Sequence, residues 1–174
     1  ITVVSKALGG GYPVAAFGAS AELMNLFVTG EVFHGGVYSG NAVVMSAAEA
    51  VLDEILNNRE SIYDHLYSIS DELTTGLADI MTRLQVPHVI QNVGPMISLF
   101  LTDGEVDSLK NYRDVRAHCD FESYIQFQNQ AQRLGVYFHP NQFEPMFLST
   151  AHSHADMATV LERVEDAARC TLLN

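Results

Sequence analysis

The chain has 174 residues, of which 48% are hydrophobic and 17% are charged, a balance typical of a globular protein rather than a disordered one. Its net charge of −12 argues against binding to nucleic acid or to anionic membranes. No apolar run reaches the roughly 18 residues that a membrane span needs. The two cysteines, Cys119 and Cys170, form no CxxC or Cys/His cluster, so the sequence predicts neither zinc nor a disulfide framework and favours a cytoplasmic setting.

The first segment reads as a strand, a glycine turn, a strand and a brief helix. Residues 1–4 (ITVV) predict a buried strand, and three glycines at 9–11 predict a tight turn. A second short strand is expected at 14–18 and a brief helix at 21–24. Because the chain opens in mid-strand and without methionine, we expect it to be a piece of a longer protein.

A glycine-rich loop and two helices follow. The loop at 33–41 ends at Asn41, a good N-cap residue, where a helix over 43–56 begins. Apolar residues surround the start of that helix, which we therefore expect to be buried. A longer helix over 62–84 carries one apolar stripe and a polar back, which is typical of a helix that covers a core.

The remainder reads as a mixture of short strands and helices, with a capping box formed by Ser153 and Asp156 at the start of the last helix. This pattern predicts an α+β domain from about residue 86. The expected elements are strands at 89–90, 96–101, 136–138 and 146–148, an acidic loop at 103–112, and helices at 121–134 and from 153 onward.

Lys6 is the first candidate for chemistry. It is one of only two lysines, with Lys110, and it lies between an apolar strand and three glycines. Strand ends in α/β proteins often face the ligand crevice, where a partly desolvated lysine amine becomes a nucleophile toward carbonyl groups. The alternative is a lysine that extends to water.

Three segments, in order along the chain, resemble class III pyridoxal-phosphate-dependent aminotransferases. They are SKALGGGYPV at 5–14, GVYSGN at 36–41 and LGVYFHPNQFEPMFLS at 134–149. The third segment, together with AHSHAD at 151–156, is similar to the glutamate-1-semialdehyde 2,1-aminomutase branch. The resemblance covers nearly the whole chain but only the C-terminal half of the family enzyme.

The resemblance implies an α/β fold of PLP-dependent transferase fold type I. It implies that residues 1–85 are the C-terminal part of the PLP-binding large domain with an interdomain helix. Residues 86–174 are then the small C-terminal α+β domain. Most of the large-domain sheet, the aspartate for the pyridine nitrogen and the main phosphate loop are expected upstream, so this chain alone is expected to be incomplete.

The resemblance also implies roles for four residues. Lys6 carries the Schiff base with pyridoxal 5′-phosphate and moves a proton between the substrate and the cofactor. Val37 and Tyr38 bind the phosphate of the partner's cofactor across a homodimer. Val37 stands where the family has threonine, so only its amide is available there, and whether Tyr38 or Ser39 compensates stays open. Glu144 contacts the substrate, or is a solvated loop carboxylate.

The sequence leaves three hypotheses for the function of the protein. The first is a PLP-dependent aminomutase of the glutamate-1-semialdehyde type, which moves an amino group within one small amino-acid-like substrate. The second is a class III aminotransferase for a β- or ω-amino acid with an external 2-oxo acid acceptor. The third is an inactive fragment that acts only as an association partner. No metal is expected, because His152 and His154 have no third ligand in view.

Overall fold

The computed structural model describes residues 1–173 and divides the chain into two compact units, Ile1–Ser61 and Ile62–Asn174. Within the described residues, no helix has both the length and the apolar character needed to cross a membrane. The expected domain boundary between residues 85 and 86 stays a prediction.

The first unit contains a small antiparallel sheet and two helices. Strand β1 (Thr2–Val4) pairs with β2 (Ala16–Gly18), with Val3 opposite Phe17. A short 3₁₀ helix, Lys6–Gly9, lies between the two strands. The helices are α1 (Ala21–Val28) and α2 (Ala42–Asn57).

Two expectations of burial in this unit are wrong. Val3 in β1 is 68% exposed, and Val43 at the start of α2 is 64% exposed. Only Val44 and Ala48 of the first turns of α2 are buried, because residues three or four apart share one face of a helix while a neighbour such as Val43 points elsewhere.

The second unit packs helices against one antiparallel sheet of strand order β3-β4-β5. Helix α3 (Arg59–Arg83) starts just before the boundary between the units and supplies most of its length to this unit. The other elements are β3 (His88–Val93), β4 (Met96–Leu101), α4 (Tyr112–His118), α5 (Phe121–Arg133), β5 (Met146–Phe147) and α6 (His154–Thr171).

The main core of this unit lies between α3, α5, α6 and one face of β4. Fully buried side chains come from each helix, with Leu77 on α3, Phe127 on α5 and Val164 on α6. Each such side chain contributes about 1.5–3 kcal/mol by leaving water. The regular apolar stripes of these helices are therefore what hold the unit together.

The helix ends follow the expected signals. The Asn41 side chain caps α2, and Ser153 and Asp156 form the complete capping box at the start of α6. After α5, Gly135 has a φ of 89°, a left-handed conformation that glycine adopts without strain. The two sequence-based predictions of the helix starts, at Asn41 and at Ser153 with Asp156, are confirmed.

One prediction for the second unit is wrong, and one helix was not predicted. Residues 136–138 are not a strand, although Val136 and Phe138 are buried on alternate positions. The carbonyl of Phe138 accepts a hydrogen bond from the Gln128 side chain instead of a neighbouring strand. Helix α4 was not expected, yet Asn111 caps it through the amides of Arg113 and Asp114.

Candidate functional site

Lys6 follows β1 by two residues, begins the 3₁₀ helix, and is exposed. Its φ is 54°, in the left-handed region that a residue with a side chain seldom adopts. Such a conformation costs roughly 1–2 kcal/mol and is concentrated at functional positions. Lys6 therefore carries its amine on a left-handed backbone, between the end of a strand and a glycine turn.

The loop at 36–41 consists of two successive turns. The amide of Ser39 donates to the Gly36 carbonyl at 3.0 Å, and the amide of Asn41 donates to the Tyr38 carbonyl at 3.1 Å. The amides of Val37 and Tyr38 donate to no other described residue, and both residues are exposed. The loop thus offers two adjacent N–H donors, the groups that an oxyanion needs.

Asn41 determines which amides remain available near the start of α2. Its Oδ1 accepts hydrogen bonds from the amides of Val43 at 3.1 Å and Val44 at 3.2 Å. The cap therefore occupies these two first-turn donors, whereas the Val37 and Tyr38 amides of the loop remain available to an anion near the positive end of the helix dipole.

An open depression of about 450 Å³ lies between β2, the loop and α2. Tyr38, Asn41 and His34 line it, whereas Lys6 and Val37 are outside its lining. The His34 ring packs edge-on against Phe17, with centroids 5.2 Å apart. The structure therefore brings Tyr38 together with the helix cap and His34.

Glu144 belongs to the second unit, on the segment between α5 and β5, and is exposed. The amide of Glu144 donates to the Asn141 carbonyl at 3.1 Å, which closes a turn. Gln142, two residues before Glu144, is only 1% exposed and anchors this turn. Sequence reasoning did not single out Gln142, since a lone glutamine in a polar loop gives no signal of burial.

The two histidines near the start of α6 have separate partners. His152 Nδ1 is 3.1 Å from the Ser149 amide, and His154 Nδ1 is 2.5 Å from the Glu72 carboxylate. Both histidines therefore fasten the entry to α6, where the segment before Ser153 meets α3.

One group in the described chain brings three metal-ligating side chains together, namely Asp103, Glu105 and His118, with ligand atoms within 4.8 Å of one another. His118 Nδ1 is 2.9 Å from Asp103 Oδ2. The Glu105 amide and the His118 ring both donate to Asp103 and lower the pKa of its carboxyl group. These hydrogen bonds lie beside the isolated antiparallel bridge between Thr102 and Cys119 and account for the grouping.

The structure is similar to solved transaminase structures. It matches the PLP internal aldimine form of the FumI protein of Sphingopyxis sp. MTA144 with a TM-score of 0.79 and 26% identity over 98% of this chain. It also matches an ω-transaminase from Sphaerobacter thermophilus (TM-score 0.78, 21% identity, 96% of this chain). A third match is a β-phenylalanine aminotransferase from Variovorax paradoxus (TM-score 0.78, 20% identity, 97% of this chain).

The chain spans only part of these proteins. It covers 36% of the FumI chain, 37% of the Sphaerobacter enzyme and 38% of the Variovorax enzyme. The expected fold is confirmed: a mixed α/β chain that matches PLP-dependent transaminase structures over a part of their length.

The sequence itself matches a family model. Residues 1–167 match the model described as aminotransferase class-III, which is nearly the whole chain. This match and the PLP-bound FumI structure support pyridoxal 5′-phosphate as the cofactor. The chain belongs to the class III aminotransferase family.

Proposed function

We propose that this chain is the C-terminal portion of a PLP-dependent class III enzyme that moves an amino group of a small amino-acid-like substrate. The observation that carries the proposal is Lys6, an exposed lysine at the end of β1 with a left-handed backbone, in a chain that matches the family over residues 1–167. Lys6 is the residue we propose to hold the cofactor.

The described residues fit this cofactor in two respects. Pyridoxal phosphate carries an aldehyde, for which Lys6 offers an exposed amine, and a phosphate, for which the loop offers the amides of Val37 and Tyr38. When bound, the cofactor supplies an electron sink that stabilises negative charge at the amino-bearing carbon of the substrate.

Lys6 would then act as the proton carrier. Its flexible four-carbon stem lets the Nζ atom reach more than one carbon without movement of the backbone. Once released from the cofactor, the amine would accept a proton from the substrate carbon and return it at a second carbon.

The first candidate reaction is an aminomutase exchange of the glutamate-1-semialdehyde type, and Glu144 supports it. The resemblance implies that many class III aminotransferases have an arginine at this position, which binds a substrate carboxylate. A carboxylate repels a second carboxylate and accepts hydrogen bonds from an ammonium group instead. Glu144 is exposed on a fixed turn and available for such a contact.

The second candidate is an aminotransferase for a β- or ω-amino acid that uses an external 2-oxo acid. Val37, Tyr38 and the Asn141-Gln142 pair support it, because they are not the residues expected of a strict aminomutase. The names of the similar structures also support it, since they include an ω-transaminase and a β-phenylalanine aminotransferase.

The role of Lys6 is tested by Lys6→Ala in the full-length protein loaded with pyridoxal phosphate. We expect the visible absorbance band of the lysine-bound cofactor to disappear, because the variant lacks the amine that we propose to bind the cofactor. Lys110→Ala is the matched control, as it removes the other lysine of this chain, and it should keep the band. A full-length protein that shows no such band before mutation contradicts the proposal.

The two candidate reactions are separated by their need for an acceptor. An aminomutase converts glutamate 1-semialdehyde without any added 2-oxo acid. An aminotransferase converts β-phenylalanine only when pyruvate or 2-oxoglutarate is present and is consumed. Stoichiometric consumption of the 2-oxo acid with turnover rules out the aminomutase reaction.

A further inference from the structure

The Gln142 side-chain amide forms hydrogen bonds with two backbone groups inside the second unit, as a backbone peptide group would. Its Oε1 accepts a hydrogen bond from the Leu101 amide at 2.7 Å, and its Nε2 donates to the Asp120 carbonyl at 3.1 Å. The residue is 1% exposed, so both bonds are shielded from water. A buried amide that satisfies both its donor and its acceptor is strongly held in place.

The two backbone groups that hold Gln142 are themselves rigid. Leu101 ends strand β4, Asp120 caps helix α5, and the Asp120 amide donates to the Leu101 carbonyl at 2.9 Å. The glutamine amide and these two residues therefore form a closed ring of three hydrogen bonds. A loop fixed to this ring takes its position from β4 and α5.

The residues on either side of Gln142 extend this anchor to Glu144. The Asn141 side chain accepts from the Phe143 amide at 3.0 Å. The Phe143 ring stacks on Tyr112 of α4 with centroids 4.9 Å apart and lies 5.3 Å from the Phe121 ring of α5. Glu144 follows directly, and its side chain is exposed.

We propose that Gln142 is a positioning residue for Glu144. It fixes the 141–144 turn to β4 and α5 so that the Glu144 carboxylate is presented in one place to the amino substrate. The inference rests on the proposed function for the part that concerns the substrate, whereas the anchoring itself rests only on the contacts within the second unit.

The anchoring is measured by hydrogen exchange of the 139–146 segment in the full-length protein with Gln142→Met. Methionine keeps the volume and removes both hydrogen bonds, so we expect exchange of the Phe143 and Glu144 amides to become about tenfold faster. Ser70→Ala is the matched control. Ser70 is also fully buried, and its Oγ donates to the Gly94 carbonyl at 2.5 Å, in a different turn.

The effect on substrate is measured by steady-state kinetics with glutamate 1-semialdehyde and with β-phenylalanine. We expect Gln142→Met to raise KM about tenfold with kcat less affected, as Glu144→Gln does, because both remove the same ground-state contact. The KM of the double variant should be no higher than that of Glu144→Gln alone, because the contact that the turn positions is already absent. Ser70→Ala should leave KM unchanged.

The possible results separate the two ideas. Unchanged exchange in Gln142→Met overturns the positioning role. Faster exchange with a Glu144→Gln variant of normal KM contradicts the substrate role of Glu144 and confines Gln142 to anchoring. A KM effect in Glu144→Gln that Gln142→Met does not share also overturns the positioning role. Faster exchange together with matching, non-additive KM effects supports it.

Discussion

Val37 is the residue at which the loop departs from the family's pattern. The resemblance to the family implies a threonine at this position whose hydroxyl helps to hold the cofactor phosphate, whereas the valine side chain here is fully exposed and offers no polar atom. The adjacent amides of Val37 and Tyr38 are then among the donors that the loop provides. We therefore expect the cofactor to be held less tightly than a threonine would hold it.

Replacing Val37 by threonine tests this expectation. Threonine has almost the same shape and restores one hydroxyl donor, so we expect the Kd for pyridoxal phosphate to fall about fivefold, the effect of one net hydrogen bond. Equilibrium dialysis of the full-length protein measures it. Val28→Thr, at another strongly exposed valine, is the control. An unchanged Kd in Val37→Thr contradicts a phosphate role for this position.

Individual residues were predictable from the sequence to different degrees. Lys6 and Asn41 could be predicted because each has a strong local signal. Lys6 follows a strand and precedes glycines, and Asn41 stands at the start of a helix. The left-handed φ of Lys6 and the burial of Gln142 were not, since both depend on what the folded chain packs around them. Tertiary contacts of this kind leave no mark on local sequence.

At the scale of elements, Glu165 connects two helices of the second unit. Its carboxylate accepts from Arg83 of α3 and from Arg169 of its own helix α6. Those two hydrogen-bonded guanidinium groups lower the pKa of Glu165 to about 2. The carboxylate thus remains ionised in the folded state well below the pH at which it is protonated in an unfolded chain.

This lowered pKa predicts how acid affects the unit. Because the folded pKa is about 2 and the unfolded value is about 4.3, Glu165 stabilises the fold above pH 4.3 and loses that contribution as the pH falls toward 2. We expect Glu165→Gln to unfold more readily than wild type in urea at pH 7, and the two proteins to converge near pH 2.

Urea titrations followed by circular dichroism measure the difference. Glu162→Gln is the control on the same helix, because Glu162 forms no ion pair with the described residues and should behave as wild type at both pH values. A gap between Glu165→Gln and wild type that is as large near pH 2 as at pH 7 contradicts the role of the ion pairs.

The elements themselves were largely predictable where one local rule decides them. Apolar stripes and caps indicated α2, α3, α5 and α6 because helical spacing and capping act over a few residues. The strand predicted at residues 136–138 is absent. Val136 and Phe138 are buried at alternate positions, as in a strand, but the Gln128 side chain takes the place of a strand partner. The capping pair Asn111 and Asp114 was the available signal for α4.

At the scale of the whole molecule, the first unit exposes large apolar side chains. Phe33 is 91% exposed, and Val37, Tyr38 and Val43 are exposed beside it in the sequence. Exposed apolar groups of this kind are typical of an interface. We propose that the intact protein is a homodimer with the 33–41 loop at its interface, where aromatic residues contribute most of the binding energy.

Tyr38→Asp tests the dimer. A buried, unpaired carboxylate at the interface should weaken dimerisation about tenfold or more, and cofactor retention should fall with it. Analytical ultracentrifugation and absorbance measure the two effects on one sample. Tyr137→Asp, at a tyrosine of similar exposure in the second unit, is the control. An intact dimer with full cofactor in Tyr38→Asp contradicts the interface.

The exposed strands β1 and β2 are consistent with the non-enzymatic alternative, in which the chain acts only as an association partner. Unpaired strand edges pair readily with another chain, so a chain that serves only as an association partner would self-associate or bind the missing half. Size-exclusion chromatography of this chain alone decides this point. A well-behaved monomer that keeps its fold argues against the association role.

The central claim, that Lys6 holds the cofactor, is tested most directly by covalent trapping. Borohydride reduction of the full-length protein loaded with pyridoxal phosphate fixes the cofactor to the lysine that carries it, and peptide mass mapping then locates the added group. Within this chain only two lysines, Lys6 and Lys110, compete for the label. We predict the label on Lys6; a label on Lys110, or on a lysine outside this chain, would contradict the account.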